Sequence, residues 1–226
     1  DVAAMIAEPI QGVGGFATPP DGFFGAMKKE LDNRGVLFIS DEVQTGWGRT
    51  GEHFWGYQAH GITPDVLTFA KGVGNGLSLG GVVASAELMD SLPGNSLSTF
   101  GGNPMSSIGA LATIRYMLEH DIQGHALRMG ERLAGHLRPA VDASMVVAEL
   151  RGRGLMLAIE AVQPGTIDPN ADAAGRIMEE ARAAGLLIGK GGLYGNVLRI
   201  APPMTVTEEE IDEAGTVLVG IIEGLG

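Results

Sequence analysis

The chain has 226 residues, 45% of them hydrophobic, enough by composition for a sizeable core. With 15 Lys+Arg against 27 Asp+Glu the net charge is −12, which argues against nucleic acid as the main partner because phosphate binding rests on cationic contacts. There is no cysteine, so disulfides, thiolate metal sites and cysteine nucleophiles are excluded, and no apolar run approaches the ~20 residues of a membrane span.

The opening run, Val2–Ala7, is strand-length and ends at Glu8-Pro9. It begins almost at residue 1 with no initiator Met, so we expect part of a longer polypeptide. Phe23–Leu31 reads as an amphipathic helix closed by the turn Asp32-Asn33-Arg34-Gly35. Val36–Ser40 is a second apolar run, ending in Asp41-Glu42. Val66–Ala70 is a third, ending in Lys71-Gly72, and Leu79–Ser85 a fourth. Continuous apolar runs separated by helices and turns predict buried, mostly parallel strands. A long helix follows over Ser106–His120 and another over about Gly124–Ala140. The pattern then changes. Met145–Glu149 and Leu155–Ala161 read as strands around the turn Arg151-Gly152-Arg153-Gly154. A helix spans Ala171–Ala184, and Leu186–Ile188 and Val197–Ile200 are strand-like. The last helix starts with a capping box, Thr207 and Glu210. A boundary near residue 120 gives two domains, 1–120 and 121–226. The 36 glycines follow no period of three and are interleaved with apolar residues, so they mark tight turns around close backbone approaches.

Three apolar runs each end in one chemically capable residue: Glu8, Asp41 and Lys71. In open parallel sheets, ligands bind at the carboxyl ends of strands. Of the four lysines, only Lys71 follows a run that should be buried, and a buried ammonium loses its proton more easily and becomes a nucleophile for a carbonyl. Taken alone, a lysine whose stem runs out to solvent is the simpler reading. Asp41 shifts the balance. A desolvated carboxylate needs a cationic partner: either Lys71, as a structural ion pair, or the ring nitrogen of pyridoxal phosphate, which recurs with a Schiff-base lysine. Glu42, on the opposite face of the strand, is expected to be a structural hydrogen-bond acceptor. The segment Ser98-Thr99-Phe100-Gly101-Gly102-Asn103-Pro104 runs into a helix N-terminus. It suits a phosphate, and equally an ordinary helix-entry turn. Gly72-Val73-Gly74-Asn75-Gly76 lacks dinucleotide-loop spacing, and the five histidines show no metal spacing, so no metal is expected.

Several segments together resemble the class III aminotransferases. They are Glu8-Pro9-Ile10-Gln11-Gly12, Asp41-Glu42-Val43-Gln44-Thr45-Gly46-Trp47-Gly48-Arg49-Thr50-Gly51, Pro64 to Gly72, Ser98 to Pro104, and Leu198-Arg199-Ile200-Ala201-Pro202-Pro203, in order over nearly the whole chain. The resemblance implies an α/β fold of the PLP-dependent transferase fold type I: part of a large domain with a mostly parallel sheet, then a small α+β domain. It implies pyridoxal 5'-phosphate (PLP) as cofactor. Lys71 would carry it as a Schiff base and shuttle the proton, and Asp41 would pair with the pyridine nitrogen. Val43 would pack on the ring, Gln44 would bond near its phenolic oxygen, and Glu8 would support the ring site. Thr99 would bind the phosphate across a homodimer interface. Arg199 would clamp the carboxylate of an amino acid or 2-oxo acid substrate.

Two departures matter. Many ω-amino acid transaminases have a glutamate after the Glu-Pro-Ile-Gln-Gly motif that masks the carboxylate-binding arginine; here the position is Val13. This tilts the expectation towards alanine–glyoxylate or β-amino acid–pyruvate exchange. Family members are also about twice this long, so the chain resembles their C-terminal part. A PLP-dependent decarboxylase or aminomutase, or a catalytically incomplete fragment, are the other readings. A partial sheet is expected to expose normally covered faces and to depend on a partner. Low lysine and high acid content suggest a cytoplasmic protein.

Overall fold

The computed structural model describes residues 2–94 and 96–225, and the chain divides into two compact units. The first holds the stretch up to Ile10, Pro19–Gly48 and His53–Gln123; the second holds Gln11–Thr18, Arg49–Glu52 and the chain from Gly124 onward. A single cut at residue 120 assigns those two short segments to the first domain, whereas their contacts group them with the second.

The first unit is built on a sheet ordered β1 (Ala4–Ala7), β2 (Leu37–Asp41), β3 (Val66–Phe69), β4 (Gly81–Ala84). The first three strands are parallel and β4 is antiparallel to β3. Helix α1 (Phe23–Asp32) connects β1 to β2, as parallel neighbours require a crossover. Its buried Phe24 packs on Phe38 of β2 and on the His60 ring, which lies 4.8 Å away. A second cluster joins Trp47, Phe54, Trp55 and Phe69, with Trp47 edge-on to Trp55 at 4.8 Å. The short helix α2 (Ala86–Asp90), capped by Ser85, has no apolar period in the sequence to announce it. Helix α3 (Pro104–Glu119) starts where Asn103 accepts from the Ser106 amide and Pro104 fills a position needing no N–H donor.

Several apolar residues of this unit face outward: Ile6 in β1, Val82 and Val83 in β4, and Met105, Ile108 and Leu118 in α3. The expectation of buried strands therefore holds in the middle of the sheet only for Phe38, Ser40 and Leu67, whose neighbours are half-buried, and fails at its edges. Phe38 in the second strand is fully buried, while Ile6 in the outer strand is 59% exposed.

The second unit packs helices α4 (Ile122–Ala143), α5 (Ala171–Ala183) and α6 (Glu208–Glu223) with an antiparallel sheet ordered β5 (Val147–Arg153), β6 (Met156–Ala161), β8 (Val197–Ile200), β7 (Gly189–Gly191). Its core takes Ala126, Met129, Leu133 and Leu137 from α4, one helical stripe, against Leu157, Ile159, Leu198, Ile177, Ile211 and Leu218. The Thr207–Glu210 capping box at α6 forms in both directions.

Two strands lie elsewhere than the sequence predicts. β5 runs through Arg151-Gly152-Arg153, because the turn to β6 sits at Gly154-Leu155 and β6 supplies a ladder partner as far as Arg153. Gly154 has φ +52°, and a Cβ on Gly130 of α4 would stand 2.2 Å from the Gly154 oxygen, so two glycines let helix and turn touch backbone to backbone. β7 lies at Gly189–Gly191, so Lys190 is in a strand, while Leu187 is 83% exposed. Pairing with the backbone of β8 decides this edge, not apolar side chains.

Candidate active site

The parallel order of β1, β2 and β3 brings Glu8, Asp41 and Lys71 to the carboxyl ends of three adjacent strands. Glu8 follows the last residue of β1, Asp41 is the last residue of β2, and Lys71 stands two residues beyond the end of β3. Asp41 is in register with Thr68 of β3, three positions before the lysine.

Asp41 is half-buried, and its Oδ1 accepts from the Val43 amide at 3.1 Å, which turns the chain out of the sheet. Among the described residues it has no ion-pair partner, so the alternative of a structural pair with Lys71 is not formed. Glu42, the next residue, is fully buried and serves as the expected structural acceptor. Its Oε1 accepts from Ser40 Oγ at 3.0 Å and the Tyr57 amide at 2.8 Å, and its Oε2 from Thr45 Oγ1 at 2.6 Å and the Gly56 amide at 2.7 Å. Four donors on one carboxylate replace the water it lost, so the charge can be buried without a cation. They also lock the turn that starts at Asp41.

Lys71 differs from expectation. Its side chain is exposed, because the chain leaves the sheet in a 3-10 turn over Lys71–Gly74 as soon as β3 ends. The burial invoked to activate its amine is absent from this geometry. What marks the residue is its backbone: φ is +47°, a left-handed conformation that costs a non-glycine residue of the order of 1 kcal/mol. Such strain concentrates at functional sites.

Val43 and Gln44 lie half-buried in the turn after Asp41, and the Gln44 amide makes no hydrogen bond among the described residues. Thr99 is exposed beside the entry to α3. There the Gly101 and Asn103 amides are spent on the Ser98 and Phe100 carbonyls, at 3.2 Å each, so the ordinary turn accounts for those donors.

In the second unit, Arg199 of β8 is held by carbonyls: Nη1 donates to Gly12 O at 3.2 Å and Nη2 to Lys190 O at 3.4 Å. Its guanidinium carbon lies 5.7 Å from the centre of the Phe16 ring. No carboxylate pairs with it among the described residues, and its buried Nε–H has no partner. A Cβ on Gly191 would lie 2.9 Å from that Nε, so only glycine leaves this side of the guanidinium uncrowded. A planar cation with an unspent, buried donor is suited to a carboxylate.

A family model described as class-III aminotransferase matches residues 1–222. The chain belongs to the class III aminotransferases. It is 40% identical to 5-aminovalerate aminotransferase of Pseudomonas putida over 94% of this chain and 50% of that protein. It is also 40% identical to a mitochondrial alanine–glyoxylate aminotransferase 2 homologue of Arabidopsis thaliana, over 93% of this chain and 44% of that protein. A solved phospholyase from Arthrobacter, in complex with phosphoethanolamine, superposes with a TM-score of 0.94 at 33% identity, covering all of this chain and 54% of that one. The chain thus spans about half the length of the curated relatives it matches.

Class III aminotransferases use PLP, and the first unit carries groups that fit it: the Asp41 carboxylate, whose only hydrogen bond among the described residues is to the Val43 amide, and the exposed Lys71 amine. One structural residue of the signature was missed in the sequence. Arg49 Nη1 donates to Pro202 O at 2.6 Å and to Leu155 O at 3.3 Å, and burial lowers the pKa of this guanidinium. The only sign of it was an arginine set between Gly48 and the Thr50-Gly51 turn. Among the described residues no helix is long and apolar enough to cross a membrane, and no group of acidic or histidine side chains could hold a metal ion.

Proposed function

We propose that this aminotransferase moves an amino group between an amino acid, or an ω-amino acid, and a small 2-oxo acid. The observation that carries the reading is the delivery of Asp41 and Lys71 to one edge of a parallel sheet by neighbouring strands. PLP, when bound, supplies a carbonyl for an amine and a ring that draws electrons from the substrate carbon. Lys71 Nζ would hold the cofactor, and its amine would be the base that takes a proton from the substrate carbon and returns it. The Asp41 carboxylate keeps the ring nitrogen protonated. Val43 packs on the ring, Gln44 donates near its phenolic oxygen, and Glu8 supports these residues. Thr99 binds the phosphate across a homodimer interface; its exposure and the outward apolar face of α3 support that arrangement. A domain division near residue 120 and a cytoplasmic setting, suggested by the acidic, lysine-poor composition, belong to the same proposal.

Arg199 binds the substrate carboxylate. It has no acidic partner among the described residues, and Val13 stands where many ω-amino acid transaminases have their masking glutamate. That favours alanine–glyoxylate or β-amino acid–pyruvate exchange. The two relatives named above are equally similar and do not decide between donors. Two measurements test the reading. PLP should produce a visible absorption band that is lost in Lys71→Ala. Steady-state rates should be higher for alanine with glyoxylate than for 4-aminobutyrate with 2-oxoglutarate; the reverse order overturns the substrate assignment. Carbon dioxide release, or turnover without any 2-oxo acid acceptor, would point to a decarboxylase or aminomutase instead.

A further inference from the structure

We infer that Arg151 is a positioning residue for carboxylate recognition: it holds the loop against which Arg199 is set. The inference rests on the reading of Arg199 as the carboxylate-binding arginine. The loop runs from Gln11 to Ala17, closed by the Gln11 amide donating to Ala17 O at 3.0 Å. Its Gly12 carbonyl accepts from Arg199 Nη1, and its Phe16 ring lies beside the Arg199 guanidinium. Arg199 therefore takes its position from this loop.

The loop is not at rest by itself. Gly15 has φ +88° and Phe16 φ +51°. For a bulky aromatic residue the second is strained, and such a conformation persists only when its surroundings impose it. Phe16 itself is buried, while a cavity of about 320 Å³, lined in part by Gly14, Ala17, Tyr194 and Asn196, borders the loop. The Gly192 amide donates to Val13 O at 3.0 Å, and the side chain that restrains Gly15 is Arg151. Its Nε and Nη2 both donate to Gly15 O, at 3.0 and 2.9 Å. Its Nη1 meets Glu160, and also Glu149 at 2.5 Å. Asn196 Nδ2 donates to Glu160 at 3.2 Å, which fixes that carboxylate in turn. Two carboxylates already satisfy Arg151, whereas none satisfies Arg199 among the described residues. The two arginines thus divide the work. Arg199 reads the substrate carboxylate, and Arg151 holds Gly15 O so that Phe16 stays left-handed and Gly12 O stays on Nη1. Releasing Gly15 O lets Phe16 relax, and both contacts to Arg199 move.

The test is a titration of the ¹⁵N-labelled full chain with propanoate, an unreactive carboxylate, followed by the Arg199 Nε–H resonance in a ¹H–¹⁵N spectrum. The resonance is assigned by its loss in Arg199→Lys, and propanamide is the neutral control. In the unsubstituted protein propanoate should shift it saturably and propanamide should not. In Arg151→Met the apparent Kd should rise about tenfold, the loss of roughly one hydrogen bond's worth of preorganisation. Arg151→Lys keeps the charge on Glu160 but offers no fork to Gly15 O; it should be intermediate, and it decides the matter if the Met variant does not fold. Variants that melt earlier but bind propanoate as the parent does would show Arg151 to be structural only and would overturn the inference. If propanoate leaves Arg199 unmoved in the unsubstituted protein, the carboxylate reading fails first and this inference with it.

Discussion

Replacing Glu42 by Gln removes one charge and swaps one acceptor oxygen for an NH₂ in a site that is fully closed to water. Each oxygen of Glu42 takes one hydroxyl and one backbone amide: Ser40 and Tyr57 on Oε1, Thr45 and Gly56 on Oε2. A hydroxyl can rotate and accept from the new NH₂. A backbone N–H cannot. Whichever way the amide is turned, the Tyr57 or the Gly56 amide is left facing a donor, at a cost of about 1–3 kcal/mol, and the remaining bonds lose their charge assistance. Removing a buried charge offsets part of this, so the net loss should be about 2–3 kcal/mol. Glu42→Ala strands both amides and opens a cavity, and should cost about 3–5 kcal/mol. The chain's two tryptophans, Trp47 and Trp55, sit in the aromatic cluster beside this turn, so their fluorescence during urea unfolding reports on the right unit. A Glu42→Gln midpoint within error of the parent, at an unchanged denaturant slope, would refute the four-donor account.

Four further outcomes are expected. Asp41→Asn can keep the Val43 amide bond, so urea unfolding should be nearly unchanged while transamination falls by at least about 100-fold; comparable activity would remove Asp41 from the chemistry. Gly191→Ala places a methyl within 2.9 Å of Arg199 Nε and 3.0 Å of Val13 O, so propanoate affinity should fall several-fold in the spectroscopic titration. Arg49→Met leaves the Pro202 and Leu155 carbonyls without their donor and should cost the second unit about 1–3 kcal/mol by urea-monitored circular dichroism. Asp212 of α6 takes a two-point bond from Arg132 and another contact from His136, and those partners hold its carboxyl well below the usual carboxylate range. A depressed carboxylate contributes stability above its unfolded pKa and loses it as pH falls towards the folded one. The midpoint gap between the parent and Asp212→Asn should therefore hold from pH 7 to about pH 4 and close only below that, shrinking with added salt because the pair is exposed. A gap that closes between pH 7 and pH 5 would show that a different group is titrating.

Most of the site was written in short runs. A polar residue after an apolar run marks a strand end, which is how Glu8, Asp41 and Lys71 were legible one by one. That Glu42 is a structural acceptor followed from the alternation of side chains along a strand. The capping box at Thr207 and the Asn103-Pro104 helix entry are local signals and appeared where local chemistry placed them. Less was legible where the ladder decides. Leu186–Ile188 is the more apolar segment, yet Gly189–Gly191 pairs with β8, since an edge strand is chosen by register and by room beside Arg199. Arg151 looked like part of a turn, and only the position of the β5–β6 turn makes it a strand residue within reach of Gly15. The exposure of Lys71 was also out of reach, because it depends on a 3-10 turn that begins at the lysine itself.

By itself the sequence determined the residue types and their order: the strand-ending acids and amine, the acidic composition without cysteine, and motifs specific enough to identify the family. These are properties of local pattern, carried by a few neighbouring residues. Only the tertiary structure decided which residues meet. Parallel pairing places Asp41 and Lys71 on one edge, and the Gly56 and Tyr57 amides reach Glu42 from a turn outside its own segment. A loop more than 130 residues from Arg151 in the chain becomes its partner at Gly15. The reason is physical: a hydrogen bond or a desolvated charge depends on distance in space, and that distance is not set until the sheets have formed.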